Sequence, residues 1–110
     1  MTLRTENTGL GERDLQLIRE AAQAQPQVSQ LILFGSRAKG TYKPGSDVDL
    51  AIKGSAVTYE TAVQLASTLN EEKPLPYFFD VVNYHEIGEK KLIEHIDRVG
   101  VVLFERQGQQ

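Results

Sequence analysis

The chain has 110 residues, a net charge of −3 and no cysteine. Its length is that of one domain, and the missing cysteines exclude disulfides, thiolate zinc sites and a thiol nucleophile. An acidic balance disfavours direct non-specific binding of nucleic acid, which needs cations to neutralise phosphates. No apolar run approaches the roughly 20 residues that span a bilayer, and the polar start lacks an apolar signal core, so a cytoplasmic protein is expected.

In chain order, residues 1–11 are polar and read as a flexible lead-in to a single domain over 12–106, with 107–110 a polar tail. Leu15, Ile18 and Ala22 keep helical spacing, and Gln25-Pro26 ends that helix. Val28 to Phe34 reads as a largely buried strand, Gly35 to Ser46 as a loop, and Asp47 to Lys53 as a second strand. In that strand Val48, Leu50 and Ile52 project one way and Asp47, Asp49 and Ala51 the other. Tyr59, Ala62, Val63, Ala66 and Leu69 form a helical stripe, closed by Lys73-Pro74-Leu75-Pro76. Tyr77 to Tyr84 reads as a third strand, with Tyr77, Phe78 and Phe79 mainly core. Leu92, Ile93 and Ile96 mark a further helix, and Val101 to Phe104 a last strand. The first two strands are joined too briefly for a parallel crossover, so they are expected to pair antiparallel. A mixed β-sheet packed on helices follows, in the α+β class.

The chemistry concentrates between residues 35 and 50. Asp47 and Asp49, spaced i, i+2 in a strand, share a face and repel unless a cation lies between them. Such hard oxygen ligands suit Mg²⁺ or Mn²⁺. Just upstream, Gly35 lets the backbone approach a ligand closely. Ser36 offers an N–H and a hydroxyl to a phosphate oxygen, and Arg37, Lys39 and Lys43 make the loop locally basic. If 36–40 begin a helical turn, their N–H groups face the anion. Asp80, in the apolar run Phe78-Phe79-Asp80-Val81-Val82, would be costly without a metal or a basic partner. His85 and His95 lack ligand-spaced partners and read as surface histidines, and Tyr42 as an exposed loop aromatic.

Gly35-Ser36-x-Ala38-x-Gly40, five residues, then Ser46-Asp47-x-Asp49-Leu50 resembles the signature of the DNA polymerase β-like nucleotidyltransferase superfamily, in particular the minimal nucleotidyltransferase (MNT) group. The resemblance takes in the preceding helix and strand and the later Asp80 strand. It implies a polymerase β-like fold and a metal site of Asp47, Asp49 and Asp80, with two Mg²⁺ ions about 3.5–4 Å apart. It further implies that Asp80 helps to activate the incoming hydroxyl and that Gly35, Ser36, Arg37, Lys39 and Ser46 bind the nucleotide. Many relatives carry arginine where Lys39 stands, and lysine lacks that bidentate geometry. The substrate so implied is a nucleoside triphosphate, ATP, transferring AMP to a hydroxyl. No acceptor-gripping domain is recognisable, so the acceptor surface is expected from another chain. MNT proteins of this kind pair with helical HEPN proteins, which implies an antitoxin that adenylylates a tyrosine of a HEPN ribonuclease in a type VII-like pair. Two alternatives stay open: an antitoxin acting by binding alone, and a nucleotidyltransferase of small molecules such as antibiotics.

Overall fold

A computed structural model describes residues 5–107. Four strands form one sheet in the order β3-β2-β1-β4, with β1 at Gln30–Phe34, β2 at Val48–Lys53, β3 at Phe79–Asn83 and β4 at Val101–Glu105. β1 pairs antiparallel with β2, as the short connection requires, and antiparallel with β4. β2 and β3 run parallel, because the helical crossover α3 (Tyr59–Ser67) and a following π-helical turn return the chain in the same direction. The sheet is therefore mixed and packed on helices, as expected.

Period-two alternation divides the sheet's side chains between two cores. Leu31, Leu33, Val48, Leu50 and Ile52 pack against α1 (Glu12–Gln23) and α3 through Leu15, Ile18, Ala22 and Leu65. Ile32, Phe34 and Ala51 face the other way, beneath Ile96 of α4 (Lys90–Val99). Local signals set the helix ends. The Asp14 carboxylate accepts from the Gly11 N–H at the start of α1 (3.2 Å), and Thr58 and Thr61 form a reciprocal cap for α3. α1 has no basic residue in its last turn. Arg106 supplies the charge from beyond β4, donating to the carbonyls of Ala22, Gln23 and Gln25.

Three readings need correction. The segment 35–46 opens with a short helix, α2 (Gly35–Lys39), before it becomes a loop. Of the expected lead-in, residues 1–4 lie outside the described residues, but Thr8 and Leu10 are buried, because the segment closes over the side chain of Arg37. Phe78 is 60% exposed, because it precedes an edge strand with no neighbour beyond it. Of the expected polar tail, 108–110 also lie outside the described residues. Among the described residues no helix is long and apolar enough to cross a membrane.

Candidate active site

β2 brings its carboxylates to the sheet face that α4 partly covers. Asp49 is half-buried and Asp47 exposed at the strand's start. The parallel pairing then places Asp80 of β3 in register with Asp49, so their backbones lie one strand spacing apart, about 4.8 Å. Asp80 is exposed, which an edge strand allows, so its charge escapes the burial cost that its apolar neighbours suggest.

The three carboxylates act on one another. The Asp49 carboxyl is pushed above the usual carboxylate range, first by burial, then by the charges of Asp80 and Asp47, with His95 partly offsetting them. Among the described residues no three ligating side chains converge into a preassembled metal cluster. The donor set nevertheless fits a hard divalent cation: every ligand is a carboxylate oxygen, and a cation would relieve both the burial cost and the repulsion.

Gly35 joins this group from the end of β1. Its φ is +78°, a left-handed conformation that costs other residues about 1–2 kcal/mol. A Cβ there would strike the Asp49 carboxylate oxygen and lie 3.3 Å from its Cγ. Glycine therefore serves both the turn and the close approach. Replacement by alanine should displace Asp49 and reduce catalysis roughly 10²-fold, the scale of a misplaced catalytic group. Single-turnover rates for Gly35→Ala beside wild type check this, and an unchanged rate would remove Gly35 from the site.

Sequence reasoning misplaced His95. The Gly35 N–H donates to His95 Nε2 (3.1 Å), and the imidazole packs edge-on against Phe34 (centroids 6.1 Å apart). α4 thus holds the backbone of the glycine turn through His95. Burial, then Arg98 and Lys39, hold the His95 pKa below its ordinary value, against an upward pull from Asp49. The neutral form is also the one with a lone pair for Gly35. No spacing signals this partnership, because 60 positions separate the two residues. His85 is exposed, yet its Nε2 accepts from the Gly54 N–H (3.1 Å).

A lowered histidine pKa fixes a sign. Below pH 6.5, the ordinary value, the unfolded chain takes up a proton that the folded one resists, so His95 makes stability fall with falling pH until its folded pKa is passed. His95→Gln keeps an acceptor and does not titrate. Urea midpoints of wild type should therefore drop more steeply than those of the variant between about pH 6.5 and 5, and parallel curves would contradict the assignment.

Arg37, expected at the nucleotide, has its side chain engaged within the chain. It is 2% exposed. Its Nη1 donates to the Thr8 carbonyl (2.9 Å), and its Nε and Nη2 to the Ser46 carbonyl (3.2 and 3.1 Å). Its guanidinium lies between the rings of Tyr42 and Tyr77, 4.9 and 4.8 Å from their centroids. Tyr77 is anchored in turn to Asp14 of α1 (2.7 Å). The guanidinium thus binds the lead-in, the loop and α1 together, with its donors committed to carbonyls rather than presented to a phosphate. Tyr42 is accordingly a half-buried wall of this cage. Ser46 closes the loop, its Oγ accepting from the Lys43 N–H (2.8 Å). Ser36 stays half-exposed beside Gly35, and Lys39 is exposed at the end of α2. These two and Gly35, expected at the phosphates, lie together in α2.

Among curated proteins nothing matches this chain. Several solved structures share the fold. One is a toxin–antitoxin complex with AMP-PNP, 23% identical over 86% of this chain and 75% of that one, with a TM-score of 0.71. Another is a mutant of the MntA–HpeT toxin–antitoxin complex, 21% identical over 84% of this chain and 74% of that one, TM-score 0.69. A third contains the tri-AMPylated Shewanella oneidensis HEPN toxin with its MNT antitoxin, 20% identical over 84% and 74%, TM-score 0.61. Residues 16–109 match the family described as polymerase beta, nucleotidyltransferase. The carboxylates brought into register beside a glycine turn thus sit in a chain that belongs to the polymerase β family of nucleotidyltransferases.

Proposed function

We propose that this protein transfers AMP from ATP to a tyrosine hydroxyl of a HEPN-domain partner and acts as the antitoxin of that pair. The observation that carries the reading is the register of Asp80 with Asp49, directly beside the Gly35 turn. Three carboxylates suited to a metal, one of them placed to activate the acceptor, and a turn suited to phosphate would then share one sheet face. The structures with AMP-PNP and with a tri-AMPylated HEPN toxin support the choice of nucleotide and acceptor.

Asp47, Asp49 and Asp80 would hold Mg²⁺, or Mn²⁺ in its place. When bound, such ions polarise the α-phosphate and lower the pKa of the attacking hydroxyl. The Gly35–Ser36 turn and Lys39 orient the triphosphate, with Ser36 donating to a phosphate oxygen. The acceptor oxygen bonds to the α-phosphorus as the bond to the bridging oxygen of the β-phosphate breaks, and pyrophosphate leaves. Asp80, exposed on the edge strand, would receive the hydroxyl proton. Little else is asked of the chain than placement and charge compensation.

The test is the intact mass of the HEPN-domain protein encoded nearest to this chain, after incubation with the protein, ATP and Mg²⁺. Steps of one AMP with wild type, absent with Asp47→Ala/Asp49→Ala, are expected. A tight complex with no mass change would leave an antitoxin acting by contact. Transfer to small hydroxylated compounds alone would indicate a small-molecule enzyme.

A further inference from the structure

The large apolar side chains most exposed among the described residues are Tyr59, Val63 and Phe78, at 71%, 46% and 60%. All three line one groove of about 450 Å³ between α3 and the edge strand β3, and Asp80 lines it too. A second groove of about 360 Å³ shares Tyr59, Ala62 and Val81 with the first and continues along β3 to Ile87 and Leu92. A trough walled by these apolar side chains therefore runs along the open edge of the sheet and takes in Asp80. Scattered exposed apolar residues need no explanation, whereas a contiguous set running into a catalytic site marks a recognition surface.

Charge narrows the occupant. No lysine or arginine lines either groove, while Glu71, Glu86 and Glu89 do. A triphosphate would meet no cationic side chain there, so the trough suits a cationic, apolar ligand. Hydrogen bonding narrows it further. Asn70 already bonds the outward backbone of Phe79, its Oδ1 accepting from the N–H (2.8 Å) and its Nδ2 donating to the carbonyl (3.0 Å). The edge is thus closed to an added strand next to Asp80. The ligand must engage by side chains, as an amphipathic helix does in a groove.

We infer that this trough seats a helical segment of the acceptor protein, apolar toward Tyr59, Val63 and Phe78 and basic toward Glu71, which delivers the acceptor hydroxyl to Asp80. The inference rests on the proposed transfer to a protein and adds where that protein is gripped. Val63 lies on the exposed side of α3, so Val63→Lys introduces a repelling cation into the trough without opening the core. Gln64→Lys, exposed on the same helix and outside both linings, makes the same charge change as a control. The probe is the neighbouring HEPN-domain protein, with affinity measured by calorimetry without nucleotide. Labelling is followed at saturating ATP.

Val63→Lys should weaken the complex at least about tenfold, one hot-spot contact's worth, and raise the KM for the HEPN protein. Binding of AMP-PNP with Mg²⁺ should not change, and Gln64→Lys should behave as wild type. If wild type labels the HEPN protein and Val63→Lys binds and labels it equally well, the trough assignment falls and the transferase reading stands. Loss of AMP-PNP binding in Val63→Lys would also overturn it, by giving the trough to the nucleotide. If wild type neither binds nor labels the HEPN protein, the proposed function falls and the trough assignment falls with it.

Discussion

Replacing Asp49 by asparagine should abolish transfer while stabilising the metal-free protein. The two effects share one cause. Burial, Asp80 and Asp47 all disfavour ionisation of Asp49, with His95 offsetting them in part, so in the bare protein its charge is a burden that a bound cation would relieve. The sign follows from linkage. A carboxylate whose folded pKa is raised from 3.8 contributes stability that is complete below that value and is lost as pH rises through the folded pKa. At neutral pH without metal, wild type is therefore penalised and Asp49→Asn is not. Melting temperatures in chelator should rank the variant above wild type, and Mg²⁺ should raise wild type but leave the variant nearly unmoved. Transfer should fall roughly 10³-fold, the scale of removing one electrostatic anchor of a transition state. A variant that is both less stable in chelator and fully active would contradict the metal-site account.

Arg37→Ala should have the largest effect on folding. It removes three charge-assisted hydrogen bonds, leaves the Thr8 and Ser46 carbonyls without their donor, and empties a stack between two tyrosine rings. Loss of one such bonded partner from a buried site costs about 3 kcal/mol or more, which in a domain of this size lowers Tm by more than about 10 °C. Arg37→Lys should recover only part of this, since an ammonium cannot span both carbonyls and lie flat between the rings. Thermal unfolding of the three proteins tests the assignment. A normal Tm in Arg37→Ala together with a raised KM for ATP would return Arg37 to the phosphates.

What could be read from the residues was what repeats locally. The alternation of Asp47, Val48, Asp49 and Leu50 sorts the strand's two faces because its period is two. The antiparallel pairing of β1 and β2 follows from a connection too short to cross over. Asp80 stands out in the sequence as a charge in an apolar run, but its place beside Asp49 was reachable only through the family resemblance, since no local pattern announces that β3 pairs parallel to β2 and lands in register with Asp49. Arg37 and His95 escaped because their partners are remote: Thr8 lies 29 positions from Arg37 and Gly35 lies 60 from His95. Arg37 also sits in a basic loop, where a structural guanidinium and a phosphate ligand look alike in sequence. Phe78 was misassigned for a related reason. An apolar run reads as core, and only the strand order reveals that its outer side has no neighbour.

Label transfer from ATP tests the central claim most directly, with the radiolabel placed at the α-phosphate in one reaction and at the γ-phosphate in the other, beside Mg²⁺ and the HEPN-domain partner. A carboxylate site that moves a nucleotidyl group predicts label on the partner from α-labelled ATP only, with loss of that label in Asp49→Asn. Label from γ-labelled ATP, or α-label that persists in Asp49→Asn, would contradict it.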